Sequence, residues 1–325
     1  MRFAILGAGA IGAYVGASLA RGGADVVLIA QGPHLSAMQR DGVRVRSPRG
    51  DFHAHPPATG DLGAIGDADV VFLGVKAYSL PELAPRIGEA LRPDAVIVAA
   101  QNGIPWWYFQ AYPGPGGIRS LQSVDPDALT ARSIDLERVI GCVVYCSTFV
   151  EEPGVIRHVE GSRFAIGAAA GTSADRCAEI AAAFIAGGLK CPVERDLRSQ
   201  IWLKLIGNAA FNPVTALTGA TLGELGTLPE MVDLLRRSLE ECTRVALALG
   251  VELPVSIERR LEAGIAVGEH KTSMQIDFES GRPLETGCII GAVVELAKML
   301  DIPVPHLETT YACLELADGV RHRAL

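Results

Sequence analysis

Short apolar runs alternate with helix-patterned segments through the first half of the chain. Phe3-Ala4-Ile5-Leu6 is such a run and ends at glycines, as a strand buried on both faces of a parallel sheet should. A small-residue helix to Arg21 follows, and after Gly22-Gly23 comes a second β-branched run, Val26-Val27-Leu28-Ile29. The same pattern predicts strands at Val70–Val75, Ala95–Ala99 and Val139–Val144. Strands alternating with helices imply right-handed βαβ crossovers and a mostly parallel sheet. From about Asp196 the period becomes helical, with segments at Arg198–Asn212, Pro229–Leu249, Ser256–Val267, Thr286–Leu300 and His306–Leu316. Pro213, Gly250, Pro254 and Pro303 are expected to break them. The pattern therefore predicts an α/β N-terminal domain over residues 1–195 and an all-helical C-terminal domain over residues 196–325.

Composition narrows the function classes. With 49% hydrophobic and 20% charged residues, the 325-residue chain can bury a sizeable core in about two domains. Its 29 Lys+Arg against 37 Asp+Glu leave a net charge of −8, which supplies no basic footprint for nucleic acid or an anionic membrane. Seven scattered Cys and no Cys-x-x-Cys read as free thiols in a reducing compartment. Phe3–Ala20 carries no charge and imitates a secretory signal, but Gly7, Gly9, Gly12 and Gly16 suit a backbone that something approaches closely. A cytoplasmic protein is expected.

Gly7-Ala8-Gly9-Ala10-Ile11-Gly12 lies directly after the first predicted strand and opens a helix. In a Rossmann-type domain the first glycine allows the tight turn, the second admits a pyrophosphate to the backbone, and the third lets helix and strand pack closely. Exposed N–H groups and the helix dipole then favour phosphate. A small-residue helix packed on a sheet would use the same glycines for contact alone. The second strand ends Ile29-Ala30-Gln31, without the acidic residue expected for NAD or the Arg expected for NADP, so the sequence leaves NADP(H) and NAD(H) both open.

Lys204, Asn208 and Asn212 stand at i, i+4 and i+8 in an otherwise apolar segment. At about 3.6 residues per turn they form a narrow polar stripe on one helix face. Such a stripe must be hydrogen-bonded or face a cleft. An ammonium beside amides suits carbonyl reduction, the lysine giving a proton to the oxygen while the amides hold the substrate. A snorkelling lysine with loop-capping asparagines is the plainer alternative.

Together with Gly74-Val75-Lys76-Ala77-Tyr78, Gln101-Asn102-Gly103 and Ser273-Met274-Gln275-Ile276-Asp277 followed by Glu285, these motifs resemble the ketopantoate reductase family over nearly the whole chain. The resemblance implies NADPH-dependent reduction of 2-dehydropantoate to pantoate, toward pantothenate, with substrate in a cleft between two domains. It implies Lys204 as proton donor, Asn208, Asn212 and Ser273 as substrate-binding residues, and Asn102 as an amide reaching nicotinamide and substrate. It also implies Lys76 as a cofactor contact, alongside the 7–12 loop and Gln31, and Glu285 as a carboxylate near the nicotinamide ribose and Lys204. Taken alone, Lys76 reads equally as a solvated loop lysine, Ser273 as a helix or turn cap and Glu285 as a first-turn helix glutamate.

The chain departs from the family's pattern in three places. Gln31 stands where NADPH-dependent members often have Arg, with Arg40, Arg44 and Arg46 nearby in what reads as a solvated loop. A further family asparagine aligns with Leu222, which cannot hydrogen-bond. Trp106-Trp107-Tyr108-Phe109 concentrates aromatics in a chain only 6% aromatic, either as core packing or as a wall for a bulkier 2-oxo acid. His53-Ala54-His55 reads as a solvated turn rather than a metal site, so no metal is expected. A D-2-hydroxyacid dehydrogenase on the same fold and a non-catalytic dinucleotide sensor are the alternatives. The expected partner is a small 2-oxo acid, and the expected state a monomer or homodimer.

Overall fold

The computed structural model describes residues 1–171 and 174–324, which divide into two compact units. The first comprises Met1–Gln101, Pro105–Tyr112 and Asp125–Leu197. Its strands are β1 (Arg2–Leu6), β2 (Asp25–Ile29), β3 (Val43–Arg46), β4 (Phe52–Ala54), β5 (Ala58–Thr59), β6 (Val70–Leu73), β7 (Val96–Ala99), β8 (Val139–Glu152) and β9 (Val155–Ala168). They form one sheet of order β4-β3-β9-β8-β7-β6-β1-β2-β5. Only the β3–β4 and β8–β9 pairs are antiparallel. Its helices are α1 (Ala10–Arg21), α2 (Gly32–Asp41), α3 (Leu80–Ala90), α4 (Tyr108–Ala111), α5 (Leu129–Ser133) and α6 (Ala174–Ala186).

The central strands β1, β2, β6 and β7 are the apolar runs, buried on both faces. Phe3, Ile5, Phe72 and Val98 share one core with Tyr14, Val15 and Leu19 of α1. Strand β3 is different: Val-Arg-Val-Arg alternates buried and exposed, a half-buried strand where the sequence reads as a loop. Arg46 accordingly pairs with Glu151 at 3.0 Å, and Arg40 with Asp41 at 2.7 Å. The expected turn at His53-Ala54-His55 is also corrected, because Phe52–Ala54 pair with β3 as β4 and His53 Nε2 lies 2.5 Å from the Asp41 carbonyl. Strand order reverses at β1, whose neighbours are β2 and β6. The carboxyl ends of β1 and β6 at such a switch point are where doubly wound sheets bind ligands.

The second unit comprises Asn102–Ile104, Pro113–Val124 and Arg198–Leu325, so two short segments from the N-terminal half belong to it. Its helices are α7 (Leu197–Thr218, which starts at the last residue of the first unit), α8 (Pro229–Ala248), α9 (Ile257–Ile265), α10 (Ser273–Glu279), α11 (Ala292–Met299) and α12 (Pro305–Ala324). Pro213 does not end α7 as expected. The helix runs on to Thr218, with the Thr215 and Thr218 hydroxyls donating to the carbonyls of Asn212 at 2.9 Å and Val214 at 2.7 Å. The Pro213 ring lacks the N–H that would bond to the Ala209 carbonyl, a loss that surrounding packing must offset. The helix expected at Thr286–Leu300 opens instead as a π-turn, Gly287–Gly291, with Gly291 N–H donating to the Thr286 carbonyl at 2.9 Å. Among the described residues no helix is long and apolar enough to cross a membrane.

Candidate active site

Each glycine of the 7–12 loop has its own steric reason. Gly7 has φ +89°, and a Cβ there would lie 2.5 Å from the Val75 nitrogen in the segment after β6. A Cβ on Gly12 would lie 2.2 Å from the Gly7 carbonyl oxygen, which fixes the close approach of α1 to the end of β1. Gly9 has nothing within 4 Å of a Cβ, so the space above it is open. It is the N-cap of α1 and uses no side chain, and Ala13 N–H makes the first helical bond back to it at 2.8 Å. The first turn, Ala10, Ile11 and Gly12, carries no acidic residue. Orphan N–H groups, the positive helix end and an open approach together fit the pyrophosphate of a dinucleotide.

Around this loop, Ala8 N–H donates to the Ile29 carbonyl at 2.9 Å, which ties it to the end of β2. Gln31 follows β2 as the exposed N-cap of α2, with no side-chain bond to that helix. Lys76 is half-buried and caps a short 3-10 turn after β6. Gln101 braces the same segment by donating to the carbonyls of Leu73 at 2.9 Å and Val75 at 3.2 Å. One group at the loop that sequence reading passes over is His34. Its Nδ1 accepts from Gly154 N–H at 3.0 Å, and burial lowers its pKa against the opposing pull of the Ala8 backbone.

In the second unit, the predicted stripe on α7 meets Asn102. Lys204 Nζ donates to Asn102 Oδ1 at 2.5 Å, and both residues are partly buried. Asn102 is held there by its neighbours. Gly103 has φ +78°, and a Cβ on it would lie 1.9 Å from the Cys288 carbonyl oxygen. Ile104 N–H then donates to that same carbonyl at 2.8 Å. Cys288 belongs to the π-turn, and Gly287 beside it would collide with the Ser123 carbonyl at 2.3 Å if it carried a Cβ. Glu295 of α11 completes the seating, accepting from Gln122 and Ser123 N–H at 2.8 Å each. A π-turn at such a place is a common mark of a functional site.

Glu285 is buried two residues before this π-turn rather than in a helical first turn. Ser273 is the exposed first residue of α10, and the cap expected of it is made by Thr272, whose Oγ1 accepts from Gln275 N–H at 3.2 Å. The Thr-x-x-Gln spacing was the available signal, because the cap bonds to the third residue along. Asn208, Asn212 and Thr272 line a cavity of about 360 Å³ with Phe211, Leu222 and Val255. Asn212 is only 5% exposed, and among the described residues neither Asn208 nor Asn212 spends its side-chain amide on a protein hydrogen bond. Amides left in that state are ready for a ligand.

The aromatic run is core. Trp106, Trp107, Tyr108 and Phe109 are each 4% exposed or less and belong to the first unit, and Trp107 packs on Gly141 so tightly that a Cβ there would sit 2.4 Å from its ring. None of the four lines the cavity beside Asn208 and Asn212, so of the two readings of this run the structure bears out core packing.

Known proteins place this architecture. The family model described as ketopantoate reductase PanE/ApbA matches residues 3–106, and its C-terminal counterpart matches residues 196–318. A Mesorhizobium japonicum protein named 2-dehydropantoate 2-reductase is 40% identical, over 96% of this chain and 96% of its own length. One of the same name from Halobacterium salinarum is 32% identical, over 99% of this chain and 98% of its own length. The solved PanE/ApbA family ketopantoate reductase of Ralstonia eutropha JMP134 is 29% identical with a TM-score of 0.86, over 99% of this chain and 100% of that one. With its glycine loop at the sheet's switch point and its lysine–asparagine stripe on α7, this chain belongs to the ketopantoate reductase family.

Proposed function

We propose that this chain is a cytoplasmic reductase that converts 2-dehydropantoate to pantoate with NADPH. The observation that carries the reading is the Lys204–Asn102 bond at 2.5 Å, with the uncommitted amides of Asn208 and Asn212 one and two turns further along α7. The cofactor would be held by Gly7, Ala8, Gly9, Ala10, Ile11 and Gly12, with Gln31, Lys76, Asn102 and Glu285 as further contacts; when bound, its reduced nicotinamide supplies the hydride. Residues 1–195 carry the cofactor's part of the site and residues 196–325 most of the substrate's.

Lys204 gives its proton to the ketone oxygen as C2 is reduced, so the carbonyl becomes a hydroxyl and the lysine is left neutral until it is reprotonated. Asn102 Oδ1 aims the ammonium by accepting one of its N–H bonds. Asn208, Asn212 and Ser273 hold the substrate's polar atoms, and Glu285 is placed near the nicotinamide ribose and Lys204. The active species is a monomer or a homodimer.

Steady-state reduction of 2-dehydropantoate with NADPH and NADH in parallel, beside a panel of other 2-oxo acids, tests the proposal. Turnover of 2-dehydropantoate with NADPH preferred is expected. Firm nucleotide binding without turnover of any 2-oxo acid would overturn it and favour a dinucleotide sensor.

A further inference from the structure

The cavity on α7 is divided in character. Its polar groups cluster on the α7 side, at Asn208 and Asn212, whereas Phe211, Leu222, Val255 and Ala263 supply hydrocarbon. The remaining polar members are Thr272, Arg259 and Arg260. Thr272 Oγ1 shares a 2.7 Å hydrogen bond with Thr215 Oγ1 and accepts from Gln275 N–H, Arg260 donates to the Leu203 carbonyl, and Arg259 is an exposed residue.

Leu222 is the pivotal member of the apolar wall. It is 8% exposed, and its backbone is pinned by its own N–H donating to the His270 carbonyl at 3.1 Å and by Gly223 N–H donating to the Gly268 carbonyl at 2.8 Å. Its isobutyl group is therefore presented to the cavity from a fixed loop and offers no partner to a hydroxyl.

We propose that Leu222 makes the tail-binding side of this cavity a hydrocarbon surface, so that the enzyme also reduces C3-branched 2-oxo acids that carry no hydroxyl beyond C3. The proposal rests on the 2-oxo acid reductase reading above. A site built to bond a substrate hydroxyl rejects the analogue lacking it by about 10⁴-fold or more, while a hydrocarbon pocket separates the two by only about 10²-fold. With Leu222 in the wall, the second regime applies.

The test uses two substrates that differ by a single hydroxyl, 2-dehydropantoate and 3,3-dimethyl-2-oxobutanoate. The readout is the ratio of their kcat/KM values in the wild type, in Leu222→Asn and in the smaller polar variant Leu222→Thr, with each variant's fold checked by thermal unfolding. The wild-type ratio is expected below about 10³, between the two regimes. It should rise about fivefold or more in at least one folded polar variant, as a buried hydroxyl gains a partner. A wild-type ratio above that bound, or a rise of less than fivefold in both variants, would overturn the proposal. If the wild type reduces neither acid, the reductase reading itself fails; if it reduces both with an unmoved ratio, only the role of Leu222 fails.

Discussion

Lys204 and Asn102 are 102 residues apart in the chain, yet the lysine ammonium donates to the asparagine side-chain oxygen at 2.5 Å. An oxygen acceptor cannot remove the lysine's proton, but it fixes where the remaining N–H bonds point. Lys204→Ala should therefore cut turnover by about 10²-fold or more, the usual scale for a general acid, with NADPH affinity nearly unchanged. Pre-steady-state hydride transfer and fluorescence titration of the nucleotide separate the two. A variant keeping near-wild-type turnover would remove the lysine from the chemistry.

Gly103 tests how that pair is assembled. Its φ of +78° and the Cys288 carbonyl 1.9 Å from any Cβ leave no room for a side chain. Gly103→Ala should displace Asn102 and lower kcat, while the unfolding midpoint falls by only a few degrees because the change is local. An active enzyme with an unchanged midpoint would show that this loop does not aim Asn102.

The three loop glycines should separate in their effects. Gly7→Ala and Gly12→Ala meet backbone at 2.5 and 2.2 Å and should destabilise the fold by about 1–3 kcal/mol. Gly9→Ala meets nothing within 4 Å and should leave the unfolding midpoint in place while weakening NADPH binding. Equal midpoints for all three variants would contradict the assignment.

His34 predicts a pH dependence with a definite sign. Its folded pKa lies below the unfolded value of 6.5, chiefly through burial. The unfolded chain then binds more protons as the solution is acidified. The stability His34 contributes is complete above 6.5 and is lost as pH falls below that value. His34→Gln keeps an acceptor for Gly154 N–H without titrating, so its unfolding midpoint should fall less steeply than the wild type's between pH 7 and pH 5. Parallel midpoint curves would rule the imidazole out.

Trp107 is 1% exposed against Gly141, so Trp107→Ala should cost about 3–5 kcal/mol of stability. The ranking of 2-oxo acids should not move, which a substrate panel and a denaturant titration would check together.

What could be read in advance follows from the range of each interaction. The apolar runs of β1, β2, β6 and β7 and the glycine loop are local signals, and so is the i, i+4, i+8 stripe on α7. Strand β3 carries arginines on an exposed face, and its parallel partner β9 lies far along the chain, so local pattern missed it. The π-turn at Gly287 is set by Ser123 and Ile104, residues no local window contains. The Lys204–Asn102 pair was legible as two residue types, and the cavity's apolar wall was not, because Leu222, Val255 and Phe211 are united only by folding.

The chain changes compact unit at 101/102, 104/105, 112/113, 124/125 and 197/198. This interleaving has a consequence for how the protein can be divided or rebuilt. A fragment starting near residue 196 would contain Lys204 but neither Asn102 nor the segment whose two amides Glu295 caps. Genetic fusion, domain exchange or split-protein complementation at that junction would separate a proton donor from the residue that orients it. A graft intended to preserve the pair must carry residues 102–104 and 113–124 with the helices.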